Sequence, residues 1–318
     1  MPLDIKPLAA WANERHAIYL RKTFLEGKTP PPQYAPVRQL TEAKTWTLDH
    51  LTDDPILNVW RFTNVFRELD RVTIWIRKNI REPFADHPDL WLMLAIARTI
   101  NWPPTLEILI KTDGAWPSHQ GFKPETMSQA LNRWQAAGNK VVTAAYMVRA
   151  ESDPKKHWYS WPKNQYLSEI VLGRLWSDRA KFSRLFDTSP TMHRVWAVLK
   201  DYMGWGGFMA GQVTTDLRHT RFLSQASDRA SWAAKGPGSQ RGLNRLYGRD
   251  LKTELDQDRA VREMLAIQSA LPLHLAAHVP KDIELTDIQS VCCEVDKHLR
   301  AKGGEGKPKV KYVPGRGC

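Results

Sequence analysis

Apolar residues recur at three- and four-residue intervals along most of the chain, and no series of short alternating runs separated by hairpin turns competes with them. This pattern predicts a mainly α, multi-helix globular fold with glycine-rich connections between helices. Residues 8–26 read as a first amphipathic helix, and four prolines between Lys28 and Arg38 make an extended connector that no helix crosses. A second helix is predicted to open at Asp53-Asp54-Pro55, where acidic residues and proline suit a first turn, and to run to about Ile80. At about 100° per residue, Phe62, Val65, Phe66, Leu69, Val72, Ile76 and Ile80 then share one apolar arc. Arg61, Asn64, Arg67, Glu68 and Arg71 fill the opposite arc, with Asp70 on the border. Three arginines around an asparagine present planar, directional donors suited to phosphates and base edges; a plain solvated face is the alternative.

Farther along, residues 88–101 read as a nearly fully buried helix that Asn-Trp-Pro-Pro stops, and Pro124–Ala137 as an amphipathic one. Val141–Val148 is a short apolar run open to strand or buried turn, and Glu151–Pro162 is a polar, aromatic surface loop carrying Lys155, Lys156 and His157. Helices resume at about 164–186 and 190–203. Gly204-Trp205-Gly206-Gly207 then separates the latter from one that carries Gln212 and Asp216 a turn apart. The last helix is expected from about Thr286, as its N-cap, to Arg300, with Ile288, Val291, Cys292, Val295 and Leu299 inward and Glu294, Asp296 and Lys297 flanking them. This implies an N-terminal helix and connector (1–40), a helical catalytic region (41–300) with two halves meeting near 151–162, and a basic Gly/Pro-rich tail (301–318) without the residues to pack a core.

Composition sharpens the picture of partners. The 318 residues include 46 Lys and Arg against 34 Asp and Glu, a net charge of +12 that favours polyanions, and 14 Trp and 8 Tyr offer stacking surfaces for nucleobases. No apolar run reaches the roughly 20 residues of a membrane span, and the N-terminus lacks the order of a signal peptide, so a cytoplasmic protein is expected. Three cysteines, two of them adjacent, make neither a disulfide framework nor a CxxC pair, and no zinc site is expected.

Lys235-Gly236-Pro237-Gly238-Ser239-Gln240-Arg241-Gly242-Leu243-Asn244-Arg245 places two glycines around a proline directly before a helix. Such a turn can cradle an anion with its backbone N–H groups, as in helix-hairpin-helix DNA-binding modules. It is not a P-loop, since the G-x-x-x-x-G-K-[ST] order occurs nowhere in these residues.

Three segments, taken in order, resemble one family. They are Arg-Phe-Thr-Asn-Val-Phe-Arg-Glu-Leu-Asp-Arg at 61–71, Gly-Trp-Gly-Gly-Phe-Met-Ala-Gly-Gln at 204–212 with Asp216, and Gly-Pro-Gly-Ser-Gln-Arg-Gly-Leu-Asn-Arg at 236–245 with the late Cys-Glu-Val-Asp-Lys. They are similar to the helical domain of phage thymidine-hypermodification proteins, which include the 5-hydroxymethyluracil DNA kinases and the amino acid:DNA transferases, also called α-glutamyl/putrescinyl thymine pyrophosphorylases. The resemblance runs over roughly residues 40–313. The kinases carry an additional P-loop domain that these residues do not include.

The resemblance implies a phage-encoded transferase acting on DNA that contains 5-pyrophosphoryloxymethyluracil. A free amino acid such as glycine or serine, or another amine, would displace pyrophosphate from the base methylene, downstream of a 5-hydroxymethyluracil DNA kinase. A helix-hairpin-helix or DNA-glycosylase-like arrangement would suit a flipped base. On this reading Asn64, Gln212, Trp205 and Phe208 bind the base, and Asp70, Asp216 or Glu294 takes the amine proton. Arg61, Arg67, Arg71, Gly236, Gly238, Ser239, Arg241 and Lys297 face the pyrophosphate or DNA phosphates, with Mg²⁺ a candidate cofactor bridging them. Two alternatives stay open: a non-catalytic helical DNA-binding partner of the pathway, and a base-flipping glycosylase on modified uracil.

Overall fold

The computed structural model describes residues 2–36, 44–143 and 153–314. In chain order its α-helices are α1 (Lys6–Leu25), α2 (Pro55–Val59), α3 (Arg71–Ile76), α4 (Leu90–Ile100), α5 (Pro103–Lys111), α6 (Pro124–Ala136), α7 (Lys163–Gln165), α8 (Gly173–Ser177), α9 (Arg179–Asp187), α10 (Met192–Lys200), α11 (Gly207–Leu217), α12 (Pro237–Leu246), α13 (Gln257–Ala270) and α14 (Leu285–Lys302). Wider π-type turns follow α3 at Arg77–Arg81 and join α7 to α8 at Tyr166–Leu172. Among the described residues the β structure consists of isolated bridges alone, so the protein is mainly helical as its periodicity predicts.

The chain forms two compact units. One is discontinuous, Met1–Arg71 with Ala233–Cys318, and the other is the intervening Val72–Trp232. This partition differs from the expected sequential layout because both ends of the chain contribute to one core. In that first unit α14 is the central element, packed by α1, α12 and α13. Leu8 and Trp11 of α1 join Phe62, Val65, Phe66 and Leu69 and the inward Ile288, Val291 and Val295 of α14 in one buried cluster. In the second unit α4 is buried at every position, Leu90 through Ile100, and packs against α11, while Trp91 stacks on Phe182 with ring centroids 4.2 Å apart.

Three expectations need correction. The helix expected from Asp53 to Ile80 is broken: Asp54 caps it through the N–H groups of Ile56 and Leu57, but α2 ends at Val59 and a single 3-10 turn, Arg67–Leu69, precedes α3. Phe62, Val65 and Phe66 are buried all the same, and backbone groups of the segment are bonded by side chains of α1 and α14 in place of helical partners. Thr286 is not an N-cap; α14 starts one residue earlier, after Glu284, and Thr286 is buried within it. The tail is not loose as far as residue 314. Arg61 N–H donates to the Val310 carbonyl at 3.0 Å, Tyr312 N–H to Val59 at 2.9 Å, and the Tyr312 ring packs on the first unit's core. Backbone pairing supplies there what composition does not. The 141–148 run shows no regular element at 141–143, and its remainder lies outside the described residues, as does Cys318.

Candidate active site

The segment 60–70 is held by charged side chains acting on its backbone. Glu294 of α14 accepts the Thr63 N–H at 3.0 Å, Asp287 of the same helix accepts the Arg67 N–H at 2.9 Å, and Lys297 donates to the Arg61 carbonyl at 3.2 Å. Positions 287, 294 and 297 share one side of a helix. From α1, Arg15 donates to the carbonyls of Thr63 at 2.9 Å and Phe62 at 3.3 Å. Inside the loop Asn64 spends its amide nitrogen on the Leu69 carbonyl at 2.8 Å, and its backbone N–H on Asp70 Oδ1 at 2.9 Å. The result is a stiff, closed loop that sets Asp70 beside Asn64.

Asp70 is the electrostatically perturbed member. Desolvation raises its pKa to about 6 from 3.8, outweighing the Asn64 N–H bond and the nearby charges of Arg15 and Arg67, which act to lower it; Glu294 adds to the rise. A carboxylate with that pKa is ionised at neutral pH and more basic than an ordinary aspartate, as proton abstraction requires. Two buried atoms beside it, Asn64 Oδ1 and Thr63 Oγ1, have no hydrogen-bond partner among the described residues. Glu294 also pairs with Lys297 at 2.6 Å, and Lys297 lies over the Phe62 ring. Arg61 is exposed at the loop's entrance, and Arg67 and Arg71 are partly buried and each engaged with protein groups.

The Gly236 turn is used differently from an anion cradle. Ser239 is fully buried and its hydroxyl accepts the Gly236 N–H at 2.8 Å, closing the start of α12 on itself. A Cβ on Gly238 would lie 2.2 Å from Cys293 Sγ, and one on Gly242 2.0 Å from the Cys292 carbonyl oxygen, so these glycines let α12 approach α14 closely. Arg241 and Arg245 bond the two oxygens of Asp296, at 3.1 and 2.7 Å. Gly236, Gly238, Ser239 and Arg241 therefore serve helix packing and its neutralisation. The expected grouping of Glu294 with Asp296 also divides, because the two point from α14 toward different partners.

In the second unit Asp216 is 1% exposed and receives two hydrogen bonds from Arg98, itself 2% exposed, at 2.5 and 2.7 Å. Thr73 accepts from the same guanidinium at 3.0 Å. This ties α3, α4 and α11 together and leaves Asp216 unsuited to take a proton, a structural ion pair in place of the expected base. Gln212 is buried a turn earlier on α11. Gly204, at φ 78°, lies in the turn between α10 and α11, and Trp205 anchors that turn by donating its indole N–H to the Val171 carbonyl at 3.3 Å, so its ring is not a free stacking platform. Phe208 remains partly exposed.

Sequence reasoning missed Arg15, Asp287 and Arg98. Two of them left a signal: Arg15 lies in the apolar stripe of α1 with Leu8 and Trp11, and Arg98 is the lone charge on α4. A charge in such a position demands a partner. It also overlooked one HxxxH pair, His274 and His278; a 3-10 turn ends at His274, and His278 Nε2 instead faces the Asn13 carbonyl at 3.0 Å.

The fold is a mainly helical one in which a perturbed carboxyl lies near guanidinium groups, in a basic protein. Comparison with known proteins gives the family: residues 5–307 match the family described as 5-hmdU DNA kinase, helical domain, and the chain belongs to it. A 5-hmdU DNA kinase of Bacillus phage SP10 is 24% identical over 301 residues, which cover 85% of this chain and 44% of that protein. The chain thus spans less than half the length of this relative. No solved structure matches. Among the described residues no helix is long and apolar enough to cross a membrane.

Proposed function

We propose that the chain is an amino acid:DNA transferase of thymidine hypermodification, acting in the host cell cytoplasm on DNA in which 5-hydroxymethyluracil has been pyrophosphorylated by a partner kinase. The carrying observation is Asp70, a carboxyl with a pKa of about 6 held beside Asn64 between Arg15 and Arg67. In the reaction the amine nitrogen bonds to the base methylene as the methylene carbon–oxygen bond breaks. The electron pair leaves with pyrophosphate, and the nitrogen's proton passes to Asp70.

Arg61, Arg67, Arg71 and Lys297 supply positive charge for the leaving group, the largest electrostatic demand of such a displacement. Mg²⁺ is compatible with that charge but is required by no residue of the loop. Asn64 Oδ1, buried without a partner at a cost of about 1–3 kcal/mol, is an acceptor for the N3–H of the pyrimidine.

The test supplies 5-hydroxymethyluracil DNA, its kinase, ATP and a mixture of amino acids, then digests the DNA to nucleosides for mass spectrometry. An amine adduct that requires this chain is expected. Its absence with every amino acid, on DNA confirmed to carry pyrophosphate, overturns the reading.

A further inference from the structure

Positive charge in the second unit is concentrated in one stretch. Residues 155–200 contain nine Lys and Arg against three Asp and Glu. In the first unit Arg241, Arg245, Arg249, Arg259 and Lys297 are all ion-paired. By contrast, no ion pair involves the bases of 155–200 among the described residues, and Lys155, Lys156, Arg174, Lys181, Arg184 and Arg194 are exposed. Unneutralised charge at this density has no stabilising role within the unit, because like charges repel.

Aromatic rings run through the same surface. The Arg174 guanidinium of α8 lies 4.9 Å from the Trp158 ring, with Lys156 on that ring at 5.9 Å; Arg179 lies 4.4 Å from Trp176, and Lys181 of α9 5.3 Å from Tyr202. These interactions join the 153–163 loop, α8, α9 and the end of α10 into one continuous band. Tyr159, at 50% exposed, stands out from its loop end. Lys181 and Arg184 share one face of α9, three residues apart, while Phe182 between them is buried in the core.

We infer that this band of loop 153–163, α8 and α9 is a DNA-binding surface, separate from the loop that carries Asp70, on which the bases track the phosphate backbone and Tyr159 stacks on an unpaired nucleobase. The inference shares with the proposed function only the premise that DNA is the substrate. Bases presented on aromatic rings, with an exposed ring alongside, are what binding of a polynucleotide strand uses.

The test measures binding of the full chain to a fluorescein-labelled 30-mer, as duplex and as single strand, across a salt series. Lys181→Glu with Arg184→Glu is expected to weaken duplex binding at least tenfold and to lower the slope of log K against log salt by about two, near 0.9 for each phosphate that is no longer neutralised. Lys252→Glu with Arg262→Glu, an exposed pair on the first unit, leaves the slope unchanged. Tyr159→Ala weakens single-strand binding by about fivefold or more and duplex binding by less. An unchanged slope in the α9 variant, an equal loss in the control pair, or binding to phosphatidylserine vesicles in place of DNA overturns the surface. Failure of the unaltered chain to bind any DNA overturns this inference together with its premise, whereas binding as expected without amine transfer counts against the transferase chemistry alone.

Discussion

At the scale of residues, two aspartates with the same expected role part company. Asp70 has a folded pKa of about 6 against 3.8, so folding favours its neutral form. Its contribution to stability therefore falls as pH rises from about 4 to about 6 and stays low above that. Asp70→Asn keeps an oxygen for the Asn64 N–H and carries no charge. It is expected to raise the melting temperature at pH 8, to change it little at pH 4, and to cut amine transfer by about 10²–10⁴-fold. Thermal melts at the two pH values and the nucleoside assay check this; a lowered melting temperature at pH 8 would mean that Asp70 holds the loop together. Asp216 predicts the opposite behaviour. Asp216→Asn leaves the Arg98 charge buried without its counter-ion, a cost of about 3–5 kcal/mol measurable by urea unfolding. Unchanged stability with abolished transfer would restore Asp216 as a catalytic candidate. The residue types at both positions are legible in the sequence. Their roles are not, because Arg98 lies 118 positions from Asp216 and only packing brings them together.

At the scale of elements, the glycine motif of α12 shows why a local pattern misleads. Gly-Pro-Gly before a helix reads as an anion cradle, yet Gly238 and Gly242, one turn apart, form the face that α14 approaches. Gly242→Ala would set a Cβ against backbone that cannot move aside and is expected to destabilise the first unit by more than about 3 kcal/mol. Gly238→Ala meets the Cys293 thiol, so Cys293→Ala in the same chain should recover much of its loss; urea melts of the single and double variants decide it, and no recovery would place the clash elsewhere. The 60–71 segment failed as a helix for a related reason. Its polar and apolar positions fit a helical wheel, but Asp287, Glu294, Lys297 and Arg15 compensate its backbone from outside, so the segment has no need of helical hydrogen bonds. The helices that were legible are α1, α6 and α14, whose apolar positions fall on the side they bury, and α4, whose nearly unbroken apolar run matches burial at every position.

At the scale of the whole molecule, the first unit is assembled from both ends of the chain, with α1 packing on α14 across more than 250 residues, while the second is a continuous stretch. Closing so long a connection before native packing rewards it slows folding. Refolding followed by tryptophan fluorescence should show a slower phase that Gly242→Ala retards or abolishes and a faster one that it leaves alone; a single phase affected uniformly would contradict this. Helical class, the buried α4, the basic charge, the aromatic richness and the family resemblance were all present in the sequence by itself, because periodicity, composition and motif order are local or additive properties. Which carboxyl is desolvated, which is locked in an ion pair, which glycines face a neighbouring helix and which bases stay unneutralised were decided only in three dimensions. Desolvation, ion pairing and close approach depend on what a residue meets across the fold, and that partner is remote in sequence.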